Sequence, residues 1–104
     1  MKNNEHNQDH FDVLRNIQKN PKSSQRELAE NLGFSLGKLN YCLKALKSKG
    51  LIKIENFKKN PNKINYIYVL TPKGISEKTK LTMNFMKRKM AEYDELKREL
   101  EKKE

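Results

Sequence analysis

Ser35-Leu36-Gly37-Lys38-Leu39-Asn40-Tyr41-Cys42-Leu43-Lys44-Ala45-Leu46 is the most legible stretch of the chain. Leu36, Leu39, Leu43 and Leu46 fall at steps of three, four and three, which predicts one apolar stripe along a helix. At about 100° per residue the opposite face presents Gly37, Lys38, Tyr41, Lys44, Ala45 and Ser48, with Asn40 on its flank. Ser35 is placed to cap this helix, which is expected to run to Lys49 and close at Gly50. The exposed face is polar, bears lysines, and is small at two points, so a partner surface can come close.

Upstream, Ser24-Gln25-Arg26-Glu27 has the form of a capping box. The Ser24 hydroxyl can accept from the Glu27 amide while the Glu27 side chain reaches back. A short helix follows, with Leu28, Ala29 and Leu32 inward, and Gly33 ends it. Further upstream, Phe11, Val13, Leu14 and Ile17 recur at helical spacing from Asp9, and Asn20-Pro21 stops the run. Residues 1–8 offer no apolar partner and are expected to be a disordered tail.

Downstream, Leu51–Ile54 and Ile64–Leu70 read as two strands, with Tyr66, Tyr68 and Leu70 on one side and Ile67 and Val69 on the other. The intervening Phe57-Lys58-Lys59-Asn60-Pro61-Asn62-Lys63 reads as a loop. After the break at Thr71-Pro72-Lys73-Gly74, a long helix is expected to start near Gly74 or Ile75 and to continue towards Lys103. Ile75, Thr79, Met83, Met86, Met90, Tyr93, Leu96 and Leu100 form its stripe, too long for a small core to cover. A second copy of the same helix is the economical cover. The organisation expected is a tail (1–8), a winged helix-turn-helix (9–73) and a C-terminal dimerisation helix (74–104). The fold class is mainly α with a small β-hairpin.

The chain has 104 residues, 35 % hydrophobic and 35 % charged, enough for one modest core. Its net charge is +10, and residues 38–63 alone hold eight lysines against one acid, Glu55. Such clustering points to a polyanionic partner, although a lysine-rich chain can also use the charge simply to stay in solution. The last segment, 73–104, mixes ten basic with seven acidic residues, as a solvated coiled-coil face does. No apolar run approaches the ~20 residues of a membrane span, and the first residues lack a signal-peptide core, so a cytoplasmic protein is expected.

Three short helices followed by a basic-tipped hairpin suit duplex DNA. A helix fits the major groove with its polar face towards base edges, and the hairpin tip neutralises phosphates or enters the minor groove. Lys38 and Lys44 can reach phosphates or guanine, Asn40 can pair with adenine, and Tyr41 can touch a phosphate or a thymine methyl. Ser24, Gln25 and Arg26 are placed to hold backbone phosphates. Lys58, Lys59 and Lys63 are the wing cations.

At these residues the chain resembles the MarR family. The stretches are Ser24–Ala29, Ser35–Leu46, Asn56-Phe57, Asn62-Lys63 and Leu70–Gly74, and the likeness covers roughly Phe11 to Leu100. It is strongest to the small branch described as exopolysaccharide-associated transcriptional regulators. The resemblance implies a homodimeric DNA-binding regulator encoded near surface-polysaccharide genes, with Ser35 and Gly37 in the DNA-binding set as well. Most of the family carries Asp-x-Arg in the wing; here Asn62-Lys63-Ile64 stands there, with Lys63 as substitute. The N-terminal dimerisation helix of larger relatives has no counterpart, which throws dimerisation onto residues 75–100.

Two other functions fit the pattern: a winged-helix protein-interaction module and a non-specific architectural DNA binder. Cys42 invites a redox reading, but a small residue beside a leucine stripe is usually packing. His6 and His10 stand four apart without a metal site being expected, and a single cysteine excludes an internal disulfide. No cofactor is expected. No nucleophile–base pair, glycine-rich phosphate loop or paired carboxylates stand at meaningful positions, so catalysis is not expected.

Overall fold

The computed structural model describes the backbone of residues 2–60 and 63–102 and the side chains of residues 8–56 and 66–102. The elements are α1 (Lys2–Lys19), α2 (Gln25–Leu32), α3 (Leu36–Ser48), β1 (Ile52–Asn60), β2 (Lys63–Leu70) and α4 (Pro72–Lys102). One core joins them. Val13, Leu14 and Ile17 of α1 meet Leu28 and Ala29 of α2, Leu39, Cys42, Leu43 and Leu46 of α3, and Leu51 and Ile52. Tyr68 and Leu70 of β2 and Leu81 of α4 close the edges. Each fully buried leucine contributes about 1.5–3 kcal/mol, so this cluster holds the three-helix unit together.

Three details differ from expectation. Helix α1 runs back to Lys2, not Asp9, because once the core-docked turns around Phe11 and Val13 form, each added residue costs little nucleation entropy. The side chains of residues 1–7, including His6, lie outside the described residues. Strand β1 continues through Phe57–Asn60, where a loop was expected, since antiparallel pairing runs from Ile52↔Leu70 out to Asn60↔Lys63 with an irregularity between Lys58 and Asn60. Helix α4 begins at Pro72: the Thr71 hydroxyl accepts from the Gly74 amide at 3.0 Å, and a proline at the first helical position has no amide to satisfy. It ends at Lys102 within the described residues.

Thr71 and Gly74 also make a joint. The Thr71 hydroxyl donates to the Gly50 carbonyl at 2.6 Å, and the Thr71 amide to the Leu51 carbonyl at 3.0 Å. Lys73 Nζ donates to the Lys49 carbonyl at 3.1 Å. Gly74 is buried, and a Cβ there would overlap the Leu51 carbonyl oxygen. The start of α4 is thereby fixed to the end of α3.

Beyond the joint, α4 leaves the body. Phe85 still stacks on Phe11, ring centroids 5.5 Å apart, but the helix continues for four more turns of solvent-exposed sequence. The radius of gyration is 17.4 Å and the longest extent 67 Å, against about 13 Å for the radius of a compact chain of this length. No described helix is long and apolar enough to cross a membrane.

Candidate nucleic-acid interface

Local chemistry fixes the turn between α2 and α3. Ser24 Oγ accepts from the Glu27 amide at 3.1 Å while the Ser24 amide donates to Glu27 Oε1 at 3.0 Å, the reciprocal capping box read from the sequence. Gly33 ends α2 at φ +70°, a left-handed conformation that favours glycine. Ser35 then caps α3 by accepting from the Lys38 amide at 3.1 Å. The turn is therefore short and rigid, and α3 leaves it at a defined angle with Leu39, Leu43 and Leu46 buried.

Gly37, Lys38, Asn40, Tyr41, Lys44 and Ser48 are all exposed, and Tyr41 is 61 % accessible. At Gly37 an added Cβ would meet nothing closer than Ser35 Oγ at 4.0 Å, so a partner can approach the backbone there. Ala45, expected on the open face, is half-buried.

A second expectation for this helix needs correction. Leu36, read as the first member of the buried stripe, is 47 % exposed. It lies in the first turn of α3 and stands outside the buried core cluster. Cys42 takes its place in the core, 3 % exposed. Lys38 is exposed but not free in solution: its Nζ lies 3.4 Å from Asp9 Oδ2 and 4.2 Å from the centroid of the Phe34 ring. The first helix thus holds this ammonium on one flank. Nothing in the sequence pairs Asp9 with Lys38, because a contact spanning two helices leaves no local signal there. The Cys42 thiol is pushed up from its ordinary value, chiefly by burial and then by the Asp9 carboxylate, with Lys38 opposing. A thiol so held is protonated and unreactive near neutrality.

Ser24 and Arg26 are exposed and Gln25 half-exposed, at the N-terminal end of α2. The Glu27 carboxylate is already engaged by the Ser24 amide. The side chains of Lys58, Lys59 and Lys63 lie outside the described residues, although β1 and β2 carry those positions to the far end of the hairpin.

Along α4, Ile75 (46 % exposed), Met83, Met86, Met90, Tyr93, Leu96 and Leu100 (67 %) all face solvent. A shallow cleft of about 230 Å³ lies between α1 and α4, bordered by His10, Leu14, Leu51, Glu77 and Leu81; this is below the usual ~300–1,000 Å³ of small-molecule sites. Among the described residues no three histidines, cysteines or acids come together as a metal site would require.

Comparison with known proteins agrees with this geometry. Residues 10–53 match the family described as winged helix-turn-helix DNA-binding. No curated protein matches the chain. Among solved structures, Staphylococcus aureus MarR in complex with salicylate and kanamycin superposes with a TM-score of 0.64 at 23 % identity, over 83 % of this chain and 56 % of that one. Lactococcus lactis ZitR in complex with DNA gives 0.60 at 21 % identity, over 84 % and 57 %. A mutant of Staphylococcus aureus MepR bound to an oligodeoxyribonucleotide gives 0.65 at 18 %, over 89 % and 73 %. The chain spans a little over half the length of the first of these. Matched segment, hairpin and capped helix pair agree: by fold this is a winged helix-turn-helix protein, built like the MarR-family structures it superposes on.

Proposed function

We propose that the chain is a sequence-specific, double-stranded-DNA-binding transcription regulator that acts as a homodimer. Residues 9–73 form its DNA-binding unit and residues 74–104 its dimerising helix. The observation that carries this reading is the face of α3 on which Gly37, Asn40, Tyr41 and Lys44 are exposed, on a helix locked by three buried leucines. A rigid polar helix face is what major-groove readout requires. The lysine-rich segment 38–63 supplies the phosphate term, with Ser24, Gln25 and Arg26 at the entry of α2 and Lys58, Lys59 and Lys63 on the wing. The DNA-bound states of ZitR and MepR support the same assignment.

Selection of bound sequences from a random duplex pool tests it. The expected product is an inverted repeat whose half-sites lie about one helical turn apart, or a multiple. Recovery of no preferred sequence, with equal affinity for unrelated duplexes, identifies an architectural binder instead; no binding at low salt identifies a protein-interaction module. The resemblance to the exopolysaccharide-associated branch makes surface-polysaccharide genes the expected targets, and placing the selected sequence upstream of such genes checks that finer reading.

A further inference from the structure

Exposed large apolar side chains fall into two groups among the described residues: the stripe of α4, and Leu36, Tyr41, Ile54 and Tyr66 on the helix-turn-helix and hairpin. A lone exposed leucine is ordinary on a protein surface. Leu36 differs in where it stands. It is the first residue of α3, the helix end that enters a groove first. By helical spacing it lies about 40° round the axis from Asn40 and stacks one turn before it, with Cβ atoms roughly 5–6 Å apart. Gly37 beside it opens the backbone to close approach.

The opposite flank of α3 is turned toward the body. Lys38 is turned to Asp9 and Phe34, and Cys42 and Ala45 face the body. What remains for a groove is a surface running from Leu36 through Asn40 to Lys44 and Tyr41. Within it, Leu36 is the one wholly aliphatic group, and a major groove offers one aliphatic group in return, the C5-methyl of thymine.

Resting on the DNA-binding reading above, we propose that Leu36 is a specificity-determining residue that packs on a thymine methyl in each half-site, next to the base addressed by Asn40. The preference it confers is for thymine over cytosine, which lacks the methyl, and over uracil. Leu36 is 47 % exposed and lies outside the buried core cluster, so its role separates from that of the core leucines.

The test uses the full chain and the duplex selected above. Each thymine is replaced singly by deoxyuridine, which removes the methyl and leaves base pairing intact, and Kd is measured at fixed salt for the wild-type protein and for Leu36→Ala. At one thymine per half-site the wild type is expected to lose about fourfold in affinity, the equivalent of one buried methyl. Leu36→Ala is expected to bind the unmodified duplex several-fold more weakly and to show no further loss at that thymine. Failure of every deoxyuridine position to weaken the wild type overturns the proposal without needing any variant. So does an unchanged deoxyuridine penalty in Leu36→Ala, or a selected half-site with no thymine. If no sequence is selected at all, it is the DNA-binding reading that has failed. Circular dichroism and thermal melting of Leu36→Ala, expected to match the wild type, exclude loss of fold as the cause.

Discussion

The ammonium of Lys38 is shared among Asp9 at 3.4 Å, the Phe34 ring at 4.2 Å, and water. With Lys38 and Asp9 side chains 48 % and 27 % accessible, the ion pair is worth no more than about 1 kcal/mol. A phosphate therefore competes for it readily, and Asp9 adds a negative charge beside that phosphate. Asp9→Asn is expected to leave the urea midpoint nearly unchanged and to raise affinity for random duplex. The slope of log Kobs against log salt should steepen by up to about 0.9, the effect of one added phosphate contact. An unchanged slope would mean that Lys38 never leaves the flank. Cys42 gives a second test at this scale. Burial holds its thiol above the ordinary value of 9.0, with Asp9 adding to the shift. The folded chain thus keeps the proton after the unfolded chain has begun to lose it, so this contribution is complete below the unfolded value and declines as pH rises through it towards the native one. Comparing urea midpoints at about pH 8 and about pH 10, Cys42→Ala should fall less steeply than the wild type. Parallel declines would show that the thiol contributes nothing.

Capping and joints decide the elements. Gly74→Ala inserts a methyl against the Leu51 carbonyl oxygen, and backbone cannot step aside as a side-chain tip can. A loss of about 3 kcal/mol is expected, the upper end for overpacking, together with weaker DNA binding because α3 and α4 share this joint. A urea midpoint equal to that of the wild type would remove the joint from the account. These same elements show what a sequence discloses. The capping box at Ser24 and the glycine stop at Gly33 are local chemistry, legible at three or four residues' range. Leu39, Leu43 and Leu46 are legible because burial follows helical period. Leu36 has the same period and a different fate, since periodicity says which way a side chain points and not whether anything lies there to cover it. The extension of β1 through Phe57–Asn60 was hidden because Lys58, Lys59 and Asn60 are polar and this end of the strand is ordered by pairing with β2. The start of α4 was shifted by Thr71, whose hydroxyl cap outweighs the apparent break at Pro72-Lys73-Gly74. The exposed face of α3 was readable apart from Ala45, which is half-buried, and the restraint on Lys38, which comes from a residue on another helix.

At the scale of the whole molecule the unresolved demand is the apolar stripe of α4. Met83 and Met90 fall at one heptad position and Met86, Tyr93 and Leu100 at the matching one, all exposed. A two-stranded coil would use this spacing as its a/d seam. Lys97 occupies the next a position, and Leu96 is displaced to g. A lone polar residue at a fixes register at a cost in stability, so the proposed dimer is specific but modest in strength. Two substitutions move it in opposite directions. Met90→Lys puts a second charge in the seam and should yield a monomer by sedimentation at concentrations where the wild type is dimeric, with melting of the three-helix body unchanged. Lys97→Leu should lower the dimer dissociation constant by tenfold or more, the effect of about 1.4 kcal/mol. A dimer binds an inverted repeat with both half-sites at once, and a monomer only one at a time, so Met90→Lys should lose most of its affinity for the repeat while keeping that for a single half-site. A Met90→Lys variant that stays dimeric, or a Lys97→Leu variant no tighter than the wild type, would place the self-association surface elsewhere and leave the stripe to a different protein.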